Sequence, residues 1–303
     1  MSLITITGAT GFIGRAIVAQ ARAEGHQVRA IVRDPSAAQW LKEKFGCALV
    51  AGNVLDAPTL ATAFSHVQSV IHLVGIIRER GAQTFDNVHR QATANVIAAA
   101  QKAGVPRFIH MSALGTRPAA RSQYHQTKWA AEEIVRQSGL AWTIFRPSLV
   151  YGPGDQSISQ LSKMVHFAPV IPVLGDGRSK IQPVAVATVA QCFVGAITNA
   201  CALRRTYDLC GPVAFTWNEL YDKLLAAQHS HKLKCHLPLP IARALATFGE
   251  WLLPAPPFTR DQLRMLQEDN IGDPGPAVAD FNLKLKTFDQ RSSNSGRKFS
   301  ALN

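Results

Sequence analysis

Short apolar runs punctuate the first 150 residues at near-regular intervals. LITITG, at residues 3–8, is β-branched and the right length for one strand, and HQVRAIVR, CALVAGN, SVIHLVG, RFIHMSA and AWTIFRP follow as further runs of the same kind. The segments between them carry a helical period. In FIGRAIVAQARAEG, Ile13, Ile17 and Ala21 fall on one helix face and Gly25 marks the stop. Residues 86–103 and 124–137 are the clearest of the other helical segments. Strands alternating with helices predict an α/β fold, a doubly wound parallel sheet covered on both faces.

The pattern changes after Tyr151. Loops rich in Gly and Pro (GPGDQ, IPVLGDG) precede QPVAVATVAQCFVGAI, which reads as a strand and helix returning to the main sheet. Residues 211–268 are mostly helical, with Pro238, Pro240, Pro254, Pro256 and Pro257 as breaks. The predicted organisation is one large domain over 1–155, rejoined by 181–210, and a small, mostly helical C-terminal substrate or partner lobe from 156–180 and 211–270. Residues 271–303, ending RSSNSGRKFSALN, read as a basic, flexible tail. Within the lobe, Ile241, Leu245, Phe248 and Leu252 form a stripe that fits a core or subunit interface better than a membrane anchor. Contact with anionic lipid is the second reading of that stripe.

Composition narrows the function classes. With 47% hydrophobic and 17% charged residues the chain buries a substantial core. Its net charge of +12 is spread: residues 1–155 hold 16 basic against 9 acidic side chains, and residues 156–303 hold 16 against 11. That distribution suits a phosphate-bearing ligand or an anionic surface, and no nucleic-acid signature accompanies it. Five cysteines without a C-x-x-C point to a reducing compartment. His229, His231, Cys235 and His236 fit no standard metal-ligand spacing, so no metal is expected. The uncharged stretch Ile181–Leu203 is interrupted by Gln182, Pro183, Gln191 and Asn199, and predicts a strand and buried helix rather than a membrane span. LITITGATG lacks the basic leader and cleavage site of a signal peptide. The expected location is cytoplasmic, with room for attachment at the periphery of the inner membrane.

The chemistry begins at TGATGFIG. Gly8, Gly11 and Gly14 stand between the first strand and the first helix, where glycines allow a tight turn and a close approach of backbone to a pyrophosphate. This predicts a dinucleotide-binding Rossmann fold. At the end of the second strand Arg33 offers a guanidinium to a 2′-phosphate, which favours NADP(H). Asp34, one place later, keeps NAD(H) open.

The second element is SQYHQTKW. Tyr124 and Lys128 share a helix face at i and i+4. A free phenol has a pKa of about 10, and a nearby ammonium is expected to lower it, giving a proton donor or acceptor for alcohol and carbonyl chemistry. Ser112, ending RFIHMSA, is the best placed hydroxyl to polarise the same carbonyl, ahead of Thr116 and Ser122. His72 and His89 are read as satisfied polar positions near the cleft.

Taken together, TGATGFIG, YHQTK and RPSLVYGPG resemble the extended and atypical short-chain dehydrogenase/reductase superfamily over residues 3–270. The resemblance implies a pyrophosphate held by Gly8, Gly11 and Gly14 with their neighbours Thr10, Phe12 and Ile13. It also implies Asn53 and Val54 beside the adenine and Leu73, Val74 and Gly75 along the cofactor. Lys128 would contact the nicotinamide ribose and Pro147 would lie near the nicotinamide. The segments LVGIIRERGAQTFDNVH, HMSALG and TRDQLRMLQEDN are similar to the branch containing the nucleotide-binding accessory subunit of respiratory complex I. Three functions follow as alternatives. One is an oxidoreductase for a carbonyl, alcohol or quinone-like substrate, and another is a non-catalytic NADPH-holding accessory or assembly protein of a quinone-linked respiratory or quinone-biosynthesis system. The third is a sugar-nucleotide epimerase or dehydratase. Departures are visible: Asn53 replaces an expected aspartate, VAVATVA lacks the aspartate of V-x-D-V-A, and GDQSIS lacks the arginine-bearing loop of the complex I branch.

Overall fold

A computed structural model describes residues 1–288 except 61, 254, 255 and 257. The contacts divide the described residues into two compact units: residues 1–147, 186–209 and 274–284, and residues 148–185, 210–273 and 285–288.

The first unit is built on a seven-stranded sheet. Its first six strands are β1 (Leu3–Thr7), β2 (Gln27–Val32), β3 (Ala48–Ala51), β4 (Ser69–His72), β5 (Arg107–Met111) and β6 (Ala141–Pro147). A last strand, Arg205–Leu209, pairs with β6. The order across the sheet is β3, β2, β1, β4, β5, β6, Arg205–Leu209, and every pairing is parallel. Burial follows position. All four residues of β4, at the centre, are buried, whereas edge strand β3 keeps none fully buried, as expected of a sheet covered on both faces. The helices α1 (Phe12–Ala23), α2 (Gln39–Phe45), α3 (Ala92–Lys102) and α4 (Gln123–Gln137) connect these strands. One core layer gathers Phe64, Val70, Val96, Phe108, Val135 and Ile144. Because the order reverses between β1 and β4, a crevice opens at their C-terminal ends, the topological switch point where such sheets bind ligands.

Three sequence expectations are revised. The helix read over 86–103 begins as a π-helical turn, Asp86–Gln91, before α3. The return to the main sheet is made by Arg205–Leu209. Val184–Ala185, in the run first read as that returning strand, pairs instead with Val150–Tyr151 in the second unit. Residues 275–281, within the segment expected to be loose, form a helix on the first unit. Phe281 there meets Phe145 at 5.6 Å and Tyr207 at 5.3 Å between ring centroids, and Tyr207 donates to Asp280. Polar neighbours hid this anchor in the sequence, and residues 289–303 of the same segment lie outside the described residues.

The second unit packs helices Ser157–Phe167 and Trp217–Ala227 around Tyr151, Ile158, Val165, Ile171 and Phe215. Strands Ile171–Leu174 and Lys234–Leu237 pair in parallel beside them. Helix Leu239–Leu252 turns Ala242 and Ala246 inward, toward Leu263. Its apolar stripe faces solvent instead of a core: Ile241, Leu245, Phe248, Trp251 and Leu252 are 50–79% exposed. Among the described residues no helix is long and apolar enough to cross a membrane.

A buried ion cluster pins α4 to β6. Glu132 has no solvent exposure and accepts two hydrogen bonds from Arg146, at 2.8 and 2.6 Å, and one from Arg136. Both guanidinium groups also lie over the Trp129 ring, at 4.7 and 5.8 Å. Removing the carboxylate takes both hydrogen bonds from the partly buried Arg146 and leaves Arg136 with Glu133 alone, a loss of about 3–5 kcal/mol. Glu132→Ala is therefore expected to lower the unfolding free energy by that amount in urea titrations. A change below about 1 kcal/mol would contradict the assignment.

Candidate functional site

The turn leaving β1 requires glycine for two different reasons. Gly8 has φ +77°, in the left-handed region, and a Cβ there would meet the Leu73 backbone at 3.3 Å. At Gly14 a Cβ would stand 2.2 Å from the Gly8 carbonyl oxygen, so only glycine lets α1 cross the turn this closely. Gly11 caps α1 with no side-chain hydrogen bond and no acidic residue in the first turn. The first N–H groups of the helix, with the positive end of its dipole, are thus left for an anion.

This turn forms one wall of a cavity of about 560 Å³ at the switch point. Of the residues expected to bind cofactor, Gly8, Thr10, Gly11 and Arg33 line it, as do Asn53, Val54, Leu73, Val74 and Gly75. Phe12, Ile13, Gly14, Lys128 and Pro147 are not among its lining residues. Gly14 acts from behind the turn, through packing.

Two further side chains stand at the Arg33 end of the cavity. Arg15 donates from Nε to the Thr10 carbonyl at 3.1 Å, and its guanidinium lies 5.5 Å from the Trp40 ring centre; both residues line the cavity. Extending the glycine motif by one residue would have found Arg15; Trp40 had no local signal. The carboxylate of Asp34 is engaged in its own turn. Oδ1 accepts from Ser36 Oγ at 2.5 Å, Ser36 N at 2.9 Å and Ala37 N at 3.3 Å. The Ser36 hydroxyl, then the backbone amides of Ala37 and Ser36, hold this carboxyl below its usual range. Asn53 is likewise engaged in its own turn, its Oδ1 accepting from Leu55 N at 3.1 Å.

At the other end stands Lys128, 2% exposed. Its Nζ donates to the Met111 carbonyl at 3.0 Å, one residue before Ser112 at the end of β5. A Cβ on Gly75 would lie 2.9 Å from that Nζ, so the missing side chain is what admits the ammonium to the edge of the cavity. Burial pulls the Lys128 ammonium down to about 8, against the opposing pull of Glu132 one turn along. Ser112 is buried, with Oγ 3.4 Å from Thr116 Oγ1.

Tyr124 lies in the first turn of α4, where the Ser122 side chain caps the helix by accepting from His125 N. Its ring is edge-on to Phe85, His89 and His125, at 5.9, 5.2 and 5.1 Å. The expectation that Lys128 acidifies this phenol is not met. Burial among these rings pushes it up to about 12. The ammonium expected to offset that burial is itself desolvated and donates to a carbonyl.

Below Lys128 lie neutral histidines. His72 and His110 are partners in the β4–β5 register and stack at 5.6 Å. The Thr7 hydroxyl bonds His72 Nδ1 at 2.7 Å, while His72 Nε2 and both His110 nitrogens have no hydrogen-bond partner among the described residues. Burial, then the Lys128 charge, pulls His72 down to about 3.

Comparisons with known proteins place the chain in a family. A family model described as NAD(P)H-binding matches residues 8–199. The Arabidopsis thaliana mitochondrial NADH dehydrogenase [ubiquinone] 1 alpha subcomplex subunit 9 is 29% identical over 299 residues, covering 94% of this chain and 73% of that protein. A ceramide reductase of Caulobacter vibrioides is 33% identical over 175 residues, just over half of each chain at 57% and 54%. The NADPH-dependent quinone oxidoreductase QOR2 of Escherichia coli, solved with NADPH, superposes with a TM-score of 0.77 at 22% identity, over 96% of this chain and 99% of that one. The chain belongs to the NAD(P)H-binding family, among the extended short-chain dehydrogenase/reductase-like proteins.

Proposed function

We propose that this protein is an NADP(H)-dependent oxidoreductase that reduces a carbonyl or quinone-like substrate. The observation that carries this reading is the ammonium of Lys128, buried at the Gly75 edge of the nucleotide cavity and on the same helix as Tyr124. A bound reduced nicotinamide supplies hydride to the carbonyl carbon. The residues of this chain manage the proton and the oxygen. Tyr124, its phenol pushed up to about 12, is protonated at neutral pH. It therefore acts as a donor to the oxygen of the reduced substrate, and the reductive direction is preferred over alcohol oxidation. Lys128 holds the ribose side of the nucleotide and favours the developing negative charge. Ser112 orients the carbonyl. Leu73, Val74 and Gly75 form the wall along the nicotinamide half, with Pro147 near its end.

The preference for NADP(H) over NAD(H) rests on charge. Arg33 and Arg15 both line the cavity, while the Asp34 carboxylate is tied to Ser36 and Ala37 rather than open to a ribose hydroxyl. The names of the ceramide reductase and the NADPH-bound quinone oxidoreductase support the reductase reading.

A second reading is favoured by the exposed stripe of helix Leu239–Leu252. It is an accessory role, with NADPH held beside a membrane or respiratory complex. The name of the complex I subunit supports it, and a helix with aliphatic and aromatic residues on its outer face is suited to a lipid interface.

Four outcomes are expected, three for the reductase and one for the accessory role. Tyr124→Phe lowers kcat for NADPH-dependent reduction at least ~100-fold, the usual share of a general acid, with NADPH affinity nearly unchanged in fluorescence titrations. In the unaltered protein the rate falls as pH rises through about 8, because Lys128 is cationic below that value and neutral above it; a rate that climbs through the same range contradicts the role. Arg33→Ala weakens NADPH by roughly 10- to 100-fold, the worth of a charge-assisted hydrogen bond, and leaves NADH almost unaffected. Equal losses for the two nucleotides would refute the preference. For the accessory reading, Phe248→Ser with Trp251→Ser abolishes co-sedimentation with anionic vesicles, and undiminished co-sedimentation removes its support.

A further inference from the structure

One chain of hydrogen bonds near the site has no part in the proton transfer just described. His89 belongs to the π-helical turn Asp86–Gln91 and is 1% exposed. A π turn holds one more residue than an α turn and re-aims the side chains it carries. Here it delivers His89 between two functional segments. The imidazole stacks on Phe85 at 5.5 Å and stands edge-on to the Tyr124 ring at 5.2 Å. Nε2 lies 3.2 Å from Ile76 N, at the end of the cavity-lining run Leu73–Ile76. Nδ1 lies 2.9 Å from Thr127 Oγ1, on α4.

The proton positions follow from counting donors. Thr127 Oγ1 is 2.9 Å from the Gln123 carbonyl oxygen and 3.0 Å from that of Tyr124. These can only accept, and with the hydroxyl proton given to one of them the side chain keeps its bond to the helix. The Thr127 oxygen is then left as an acceptor for His89, and the arrangement that satisfies most groups places the hydrogen on Nδ1. Nε2 is then bare and accepts the Ile76 N–H. The other tautomer would point Nε2–H at the Ile76 carbonyl oxygen, 3.1 Å away, and would leave the Ile76 N–H without this acceptor. It would also require Thr127 to give up its bond to the helix. An imidazolium is disfavoured by burial and by the nearby Lys128 charge.

We propose that His89, as the neutral Nδ1–H tautomer, is a positioning residue that ties the cavity-lining segment Leu73–Ile76 to the helix presenting Tyr124 and Lys128. Its link to turnover rests on the reductase reading above. Its action is geometric. The segment along the nucleotide and the helix bearing the proton donor sit on different strands' connections, and His89 with Thr127 holds them at a fixed separation. Misplacement by about 1 Å in such a pair costs roughly 100-fold in rate.

The test combines a spectrum with kinetics. Long-range ¹H–¹⁵N spectra of histidine-labelled protein, with His89 assigned by its loss in His89→Gln, are expected to give the Nδ1–H pattern at pH 7. The Nε2–H pattern or an imidazolium overturns the inference. Thr127→Val removes one end of the chain, together with the hydroxyl's contacts to the Gln123 and Tyr124 backbone carbonyls, and leaves the Tyr124 and Lys128 side chains in place. It is expected to lower kcat about tenfold or more with little change in NADPH affinity or melting temperature, and Thr127→Ser is expected to restore the rate. A Thr127→Val enzyme with unchanged kcat, or a serine variant that fails to rescue, overturns it. If the unaltered protein reduces no carbonyl or quinone, the reductase reading falls by itself, and the coupling is still decided by the spectrum. NADPH is then expected to move the His89 resonances in the unaltered protein, and resonances that stay in place overturn the inference.

Discussion

A lysine ammonium cannot lie in a protein interior without local compensation, and most of this site is arranged around that requirement. Lys128 finds a carbonyl at Met111, a carboxylate one helical turn away at Glu132, and open space where Gly75 lacks a side chain. Each partner comes from a different part of the first unit. Met111 ends β5, Glu132 is held by Arg146 of β6, and Gly75 follows β4. The parallel order of these strands is thus what gives the cation its place at the edge of the cavity. The same order opens the switch-point crevice beside β1, where the glycine turn and the N-terminus of α1 are ready for phosphate.

The electrostatics have a direction. Burial raises the Tyr124 phenol and lowers the Lys128 ammonium, so both are displaced toward their uncharged forms. On the reading proposed above, a protonated phenol one helical turn from a cation that is still mostly charged at neutral pH suits delivery of a proton to a forming alkoxide. Removal of one from an alcohol would need a phenolate that burial disfavours. Arg15 and Arg33 line the cavity beside Asp34, whose Oδ1 is engaged by Ser36 and Ala37, and the NADP(H) preference proposed above draws on that charge pattern.

Much of this was legible in the sequence where the signal is local. Three glycines between a strand and a helix, and a tyrosine and lysine four residues apart, are patterns of spacing, and the fold preserves spacing. What escaped depends on elements far apart in the chain. The sign of the Tyr124 shift was misjudged because Phe85, His89 and His125 crowd the phenol, and no reading of α4 alone reveals Phe85 or His89. Trp40 meets Arg15 across two elements. The π turn that aims His89 has the same residue types as an ordinary helix. Phe281 anchors a segment whose average composition reads as loose, since one aromatic in a pocket outweighs many polar neighbours.

The measurement that bears most directly on the central claim is a crystal structure of the protein with NADPH bound. The expected result has the diphosphate on the N-terminus of α1, the 2′-phosphate at Arg33, and Lys128 Nζ within hydrogen-bond distance of a nicotinamide-ribose hydroxyl. The Tyr124 hydroxyl would face the same ring. A nicotinamide lying away from Gly75, or a Tyr124 hydroxyl turned from it, would contradict the role given to the buried lysine.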